Sequence, residues 1–146
     1  MKRILAITIL TLAFSSLVPS QTKPNFSGTW KLRVTEISEV YTFEHQEPKL
    51  RVIMNIEDNL GKRTLDVKGV IDGKEHKQTL NGSPATFIAK WEGDALTWEL
   101  RRESPVGVLH NRRTMTLSKD GKVITADRIR LLPEPEERWT ETWDKQ

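Results

Sequence analysis

Three arginines near the end of the chain are the residues whose type and spacing could bind a ligand. Arg113 precedes the turn signal Asp120-Gly121, and Arg128 and Arg130 follow it. A two-residue turn at this point places Arg113 opposite Arg128, on the face that also carries the neighbouring apolar residues. A buried guanidinium requires a carboxylate, a wet cavity or a ligand anion. The pattern therefore predicts an anion site on the inner face of a sheet.

Two other arrangements of these strands are compatible with the same residues. In the first, one of the arginines packs over Trp30 at the base of the fold. In the second, a different register or a bulge leaves the arginines in solvent and turns the residues between them inward, namely Thr114, Thr116, Thr125 and Ile129. Short polar strands specify their pairing register only weakly, so all three arrangements stay open.

The histidines do not form a metal or catalytic pattern. His45, His76 and His110 lie on three separate segments, without His-x-His or His-Glu-x-x-His spacing. The chain contains no cysteine nucleophile, no Gly-x-Ser-x-Gly and no glycine-rich phosphate loop. The sequence therefore predicts no enzyme, no cofactor and no metal site. A haem- or metal-binding barrel that uses His76 or His110 is an outside hypothesis.

Turn signals recur about every ten residues from Lys49 onward, as they do between short antiparallel strands. No stretch between them shows a sustained helical period. The signals are Asp58-Asn59-Leu60-Gly61, Asp72-Gly73, Asn81-Gly82, Gly93-Asp94, Pro105-Val106-Gly107, Asp120-Gly121 and Pro133-Glu134-Pro135.

These turns determine which residues share a face of the predicted sheet. A hairpin at Asp72-Gly73, for example, sets Gly69 opposite His76 and Val67 opposite Gln78, so that His76 and Gln78 lie on the apolar face. That face collects Leu50, Val52, Met54, Ile56, Leu65, Val67, Ile71, Leu80, Phe87, Ala89, Trp91, Leu96, Trp98 and Leu100. An apolar face must be buried, so we predict an all-β fold, a single antiparallel up-and-down β-barrel of about eight to ten strands. A two-sheet β-sandwich is the alternative.

The first and last strands would close such a barrel. Residues 25–34 alternate apolar and polar side chains from Phe26 through Trp30, and residues 137–143 alternate again, with Trp139 and Trp143 on one face. Pairing of these two segments brings the tryptophans together, and we expect them to be core residues because large aromatic side chains dominate core burial.

The motif Phe26-x-Gly28-x-Trp30, at the start of the run Asn-Phe-Ser-Gly-Thr-Trp-Lys-Leu, resembles the opening of lipocalins and fatty-acid-binding proteins. The resemblance is strongest to small bacterial secreted lipocalin-like proteins of this calycin superfamily. It implies a barrel that holds a small apolar ligand, and a segment at 37–48 that is either a lid over the open end or a further strand. In the fatty-acid-binding relatives an Arg-x-Tyr pair receives the ligand carboxylate. Arg128-x-Arg130 occupies a similar place here, without the tyrosine.

The start of the chain has the pattern of a secretory signal peptide. Met1-Lys2-Arg3 is basic, the run from Ile4 to Val18 is uncharged and apolar, and Val18-Pro19-Ser20 precedes the expected cleavage. We therefore predict a signal peptide at 1–20, a single domain at 21–146, and a secreted or periplasmic protein without stable membrane insertion after cleavage. Basic and acidic residues are nearly balanced, 23 against 20 in the whole chain, and they form no basic stripe, so we expect no nucleic-acid partner.

The functional prediction is a barrel that binds a small hydrophobic and possibly anionic molecule, such as a fatty acid. The residues predicted to contact this ligand are Met54, His76, Gln78, Phe87, Trp98, Arg113, Arg128 and Arg130. The alternative is a barrel whose interior is filled by its own side chains and which acts as a protein-interaction or accessory module. Bulky inward residues on neighbouring strands, among them Phe87 and Trp98, favour at least partial filling.

Overall fold

The computed structural model describes residues 22–34 and 36–146, and in this part of the chain ten β-strands and no helix form. The predicted signal peptide at 1–20 lies outside the described residues. No helix of the described part is long and apolar enough to cross a membrane. The strands are β1 (Gly28–Leu32), β2 (Ser38–Gln46), β3 (Lys49–Asp58), β4 (Gly61–Val70), β5 (His76–Leu80), β6 (Ser83–Glu92), β7 (Ala95–Ser104), β8 (Gly107–Leu117), β9 (Val123–Leu132) and β10 (Glu137–Lys145).

The ten strands form one sheet in the order β4-β3-β2-β1-β10-β9-β8-β7-β6-β5. Each pair of bonded neighbours is antiparallel, and the first strand pairs with the last, with Trp30 opposite Lys145. The sheet thus curls into a nearly closed barrel whose only unpaired neighbours, among the described strands, are β4 and β5. This confirms the predicted up-and-down barrel over the sandwich.

Most of the predicted registers are confirmed. Gln78 lies opposite Ala85 and Phe87 opposite Leu100, as the turns at 81–82 and 93–94 require. Arg113 lies opposite Arg128, so the register that turns Thr114 and its neighbours inward does not form. The segment 37–48 contributes strand β2 and not a lid.

The hairpin predicted at Asp72-Gly73 is wrong. The N–H of Ile71 donates to the carbonyl of Pro48 (2.8 Å) and that of Gly73 to the carbonyl of Ala89 (2.8 Å), so this segment bonds to other turns and strands. The two strands therefore separate. A turn signal records local backbone preference only, and these competing partners are distant in sequence.

Side-chain amides bridge the gap between β4 and β5. The Gln78 amide donates to the carbonyl of Lys68 (2.9 Å) and accepts from its N–H (3.1 Å), while the Asn81 amide donates to the carbonyl of Thr64 (3.1 Å). These contacts replace part of the missing backbone ladder, because an amide side chain offers the same donor and acceptor as a peptide group.

The barrel has two different ends because successive turns alternate between them. One end, called the base, carries the β2–β3, β4–β5, β6–β7 and β8–β9 connections and is closed by Phe26, Trp30, His45 and Trp91. The Trp30 indole donates to the Phe26 carbonyl (3.0 Å). The other end, called the mouth, carries the β1–β2, β3–β4, β5–β6, β7–β8 and β9–β10 connections.

The Phe26-x-Gly28-x-Trp30 motif builds the base. Phe26 and Trp30 are fully buried, and Gly28 has a φ of 133°, which disfavours other residues. A Cβ at Gly28 would lie 2.9 Å from Lys145 Cε, and the Lys145 ammonium lies 5.4 Å from the centre of the Trp30 ring. The cation over Trp30 is thus this lysine and not one of the late arginines.

Candidate functional site

Two arginines and two glutamates meet inside the barrel, and we call them the four-charge cluster: Glu39, Arg113, Arg128 and Glu141. Arg113 Nε donates to Glu141 (2.9 Å), and its Nη2 lies 3.5 Å from Glu39. Arg128 Nη1 donates to the other Glu141 oxygen (2.9 Å) and lies 3.6 Å from Glu39. Each guanidinium therefore contacts both carboxylates.

Strand alternation positions the four charges. Glu39 lies two residues before the inward Tyr41 on β2, and Glu141 lies two residues before the inward Trp143 on β10, so both face the core. Arg113 and Arg128 are opposite residues of β8 and β9. Closure of the sheet then brings the four strands together at one level of the barrel.

Aromatic side chains surround the buried guanidinium of Arg113, whose side chain is only 4 % exposed. Its central carbon lies 5.1 Å from the ring centre of Trp98, 5.4 Å from that of Tyr41 and 6.0 Å from that of Trp143. Contacts of this kind stabilise a desolvated cation. The Tyr41 hydroxyl donates to Glu39 (2.6 Å) and the Trp143 indole to Glu141 (3.3 Å), which satisfies carboxylate oxygens that water does not reach.

Arg113 and Glu141 keep their charges despite their burial. Burial by itself would raise the pKa of Glu141, but Arg113 and Arg128 hold it below its usual range. Burial would lower the pKa of Arg113, yet the carboxylates of Glu141 and Glu39 raise it. Burial raises the pKa of the Tyr41 hydroxyl far above its usual range, so Tyr41 remains a neutral donor. The formal charges of the two arginines and the two glutamates sum to zero.

This balance bears on the predicted anion site. The inward orientation of Arg113 and Arg128 is confirmed, and the carboxylates that they require come from the chain itself. Arg130 pairs with the half-exposed Glu137 (2.9 Å), and its buried Nε has no hydrogen-bond partner among the described residues. Contact of these arginines with a ligand stays a prediction.

The other predicted contact residues are distributed between the core and the barrel wall. Met54, Phe87 and Trp98 are buried in the core, where the rings of Phe87 and Trp98 lie 5.9 Å apart. Gln78 spans the gap between β4 and β5. The His76 side chain is partly exposed near the base and bonds to Asp72 (3.0 Å).

Three charged residues of the interior were missed by the sequence prediction. Glu39 and Glu141 lie in strands whose alternation was visible but whose acidic residues were not assigned a face. Arg102 continues the alternation of Trp98 and Leu100 and is half-buried. No hydrogen bond or ion pair links Arg102 to another described residue. Burial lowers its pKa, and nearby Arg63 lowers it further.

A groove of about 680 Å³ opens at the mouth beside β1 and β10, and we call it the mouth groove. Its apolar wall consists of Leu32, Val34, Ile37 and Trp139. Trp143 is buried as predicted, but the prediction that Trp139 is a core residue is wrong, because its side chain is exposed at the mouth. Its polar lining consists of Arg33, Glu36, Arg128, Thr140, Glu141 and Thr142. The Arg128 guanidinium lies 4.8 Å from the Trp139 ring centre, and Arg128 and Glu141 are the two members of the four-charge cluster that line the groove.

The three histidines are each bonded to one carboxylate. The partners are Glu47 for His45 (2.8 Å), Asp72 for His76 (3.0 Å) and Glu99 for His110 (2.9 Å). Within residues 22–34 and 36–146, no group of three or more His, Cys, Asp or Glu side chains is placed to hold a metal ion.

Comparison with known proteins identifies the fold and not the family. No family model matches the chain, and no curated protein matches its sequence. Secretory abundant heat soluble protein 4 from Ramazzottius varieornatus matches 87% of this chain and 99% of its own, with a TM-score of 0.58 and 10% identity. The fatty-acid-binding protein from Manduca sexta matches 84% of this chain and all of its own, with a TM-score of 0.48 and 10% identity. The first likeness shows a shared fold.

Proposed function

We propose that this barrel binds a small, largely apolar molecule in the mouth groove. The observation that carries the proposal is the groove itself, whose volume of about 680 Å³ lies in the range typical of small-molecule sites, roughly 300–1,000 Å³. Leu32, Val34, Ile37 and Trp139 offer an apolar wall, and a few polar groups converge beside it, as in such sites generally.

The charges of the groove favour an uncharged polar group on the ligand. Arg33 is paired with Asp144 (2.8 Å) and Arg128 with Glu141 (2.9 Å). A carboxylate ligand such as a fatty acid would have to compete with Glu141 for Arg128, whereas an alcohol could bond to the cluster without disturbing its balance. We therefore expect a long-chain alcohol to bind at least as tightly as the acid of equal length.

Calorimetric titration with dodecanol and dodecanoate tests this proposal. Trp139→Ala should weaken dodecanol binding by about tenfold, because it removes the largest apolar surface of the groove. Leu60→Ser, at the same end but outside the groove, is the matched control and should bind as the unchanged protein does. Equal affinity of both variants would place the ligand elsewhere. If dodecanoate binds much more tightly than dodecanol and Arg128→Met abolishes this difference, the result would support an acidic ligand.

A filled barrel that acts through its surface is the second candidate function. Phe26, Trp30, Phe87 and Trp98 are essentially unexposed and occupy the interior, which favours this candidate over a deep internal ligand cavity. Absence of binding by both dodecanol and dodecanoate would support it. Under either candidate we propose export through the predicted signal peptide, which the size of the purified, processed protein would test.

A further inference from the structure

Large apolar side chains are exposed at only one end of the described barrel. Five such side chains are exposed: Val34, Ile37, Leu60, Val106 and Trp139. They belong to the β1–β2, β3–β4 and β7–β8 turns and to the start of β10, which all lie at the mouth. We call these five residues the apolar rim. The surface of the mouth is therefore more apolar than the surface of the base.

The two most exposed rim residues lie in turns that are stabilised by polar contacts. Leu60 is 70% exposed, and its N–H donates to the Asp58 carboxylate (2.9 Å). Val106 is 67% exposed, and its N–H donates to the Ser104 hydroxyl, which in turn donates to the Gly107 carbonyl. These turns therefore form without help from the apolar side chains. Exposure of Leu60 and Val106 brings the fold no stability.

The spacing of the rim suits a fluid surface better than a folded partner. The β3–β4 and β7–β8 turns are far apart in the strand order, so Leu60 and Val106 project as separate tips. A protein interface needs a contiguous, closely packed apolar centre. A lipid bilayer can close around individual side chains, and a tryptophan such as Trp139 suits the boundary between headgroups and acyl chains.

Charges of both signs lie beside the rim, and several of them are paired with each other. Ion pairs join Lys62 to Glu57 (3.3 Å), Arg63 to Asp58 (2.7 Å) and Arg138 to Glu136 (2.6 Å). Such a neutralised surface has little attraction for anionic headgroups and carries no uniform charge that zwitterionic headgroups would oppose. The charge pattern thus matches a zwitterionic lipid surface.

We propose that the apolar rim docks the barrel, mouth first, on the surface of a lipid bilayer. The docked protein lies on the membrane and does not span it. This orientation turns the mouth groove toward the bilayer, which could supply an apolar molecule directly. Val34, Ile37 and Trp139 belong to both the rim and the mouth groove, whereas Leu60 and Val106 lie outside the groove. Docking is therefore tested at Leu60 and Val106, independently of the proposed ligand.

Sedimentation with phosphatidylcholine vesicles tests the docking. The double variant Leu60→Ser/Val106→Ser should lower the partition coefficient at least about tenfold, since two apolar tips no longer enter the bilayer. Its thermal midpoint should stay unchanged because the turns keep their polar contacts. Lys119→Ser/Asp120→Asn at the base is the control and should bind vesicles normally. Addition of phosphatidylglycerol should change binding little.

Other outcomes would overturn the proposal. They are failure of the unchanged protein to bind phosphatidylcholine vesicles, equal binding by the rim variant, and binding only to anionic vesicles. Sedimentation equilibrium without lipid adds a further check. A dimer that Leu60→Ser/Val106→Ser dissociates would show that a second copy covers the rim. Loss of vesicle binding in Leu60→Ser/Val106→Ser, with dodecanol binding retained in the same variant, separates docking from ligand binding.

Discussion

At the scale of single residues, the four-charge cluster is the most constrained feature of the barrel. Its two arginines and two glutamates satisfy each other within a shell of aromatic rings. A buried pair of this kind adds little net stability over apolar residues of the same shape, but loss of one member leaves an uncompensated charge. The cluster therefore makes the interior sensitive to single substitutions.

Arg113→Met should lower the free energy of unfolding by about 3–5 kcal/mol, because Glu39 and Glu141 would share only Arg128. Lys62→Met is the control, since it breaks an exposed pair with Glu57 and should cost no more than about 1 kcal/mol. Urea denaturation followed by tryptophan fluorescence measures both values. Similar losses in the two variants would mean that water compensates the buried glutamates.

Arg102 is the opposite case, a half-buried cation for which the described residues provide no acidic partner. Arg102→Met should raise the free energy of unfolding for two reasons. It removes a guanidinium that loses hydration without gaining an ion pair, and it removes the repulsion from Arg63. Arg101→Met, on the outer face of the same strand, should leave stability nearly unchanged. A denaturant midpoint that falls in Arg102→Met would show that this guanidinium has a stabilising contact.

At the scale of elements, the gap between β4 and β5 is the weak line of the sheet. On the inner side of the sheet, Gly69 of β4 leaves room for the ring of Phe87 from β6 beside the gap. A Cβ at Gly69 would lie 2.4 Å from a carbon of the Phe87 ring, so this ring packs directly over the backbone of β4. The Gln78 side-chain amide bonds across this gap to the N–H and carbonyl of Lys68, where backbone hydrogen bonds between β4 and β5 are missing.

Gln78→Ala should speed hydrogen exchange at the Lys68 amide and lower the free energy of unfolding by about 1–3 kcal/mol, since two hydrogen bonds are lost. Gln78→Glu keeps the acceptor for the Lys68 N–H but loses the donor to its carbonyl. It should therefore retain more amide protection than the alanine variant. Exchange at Lys68 measured by NMR distinguishes these outcomes, and unchanged exchange in Gln78→Ala would exclude a bridging role.

At the scale of the whole molecule, the interior is a packed core rather than an empty barrel. Trp98 contacts Phe87, Arg113 and Met115, and its indole N–H lies 3.4 Å from the Met115 sulfur. Because these contacts tie apolar packing to the four-charge cluster, the centre of the barrel should unfold together with it.

Trp98→Ala should lower the free energy of unfolding by about 3–5 kcal/mol, the usual cost of truncating a core aromatic residue. Trp139→Ala is the matched control, because the same side chain is removed from the exposed mouth, and its loss should be much smaller. Thermal and urea unfolding measure the difference. Equal, small losses would indicate that an open cavity already surrounds Trp98.

The residues by themselves determined the strands, their faces and most registers. Alternation assigned Met54, Phe87 and Trp98 to the core, and the turn at Asp120-Gly121 set Arg113 opposite Arg128. These features follow from local rules, because side chains alternate along a strand and a tight turn determines which residues pair. The same alternation would have placed Arg102 inward had it been followed two residues beyond Leu100.

Only the tertiary structure decided which partners the interior charges have and which surface the mouth presents. Glu39 and Glu141 reach Arg113 from strands that are 74 and 28 residues distant in sequence, and closure of the sheet brings them together. Closure likewise gathers Leu60, Val106 and Trp139 at one end. Local sequence patterns do not predict these contacts between distant residues, because the contacts depend on the order of the strands in the sheet and on how the sheet closes.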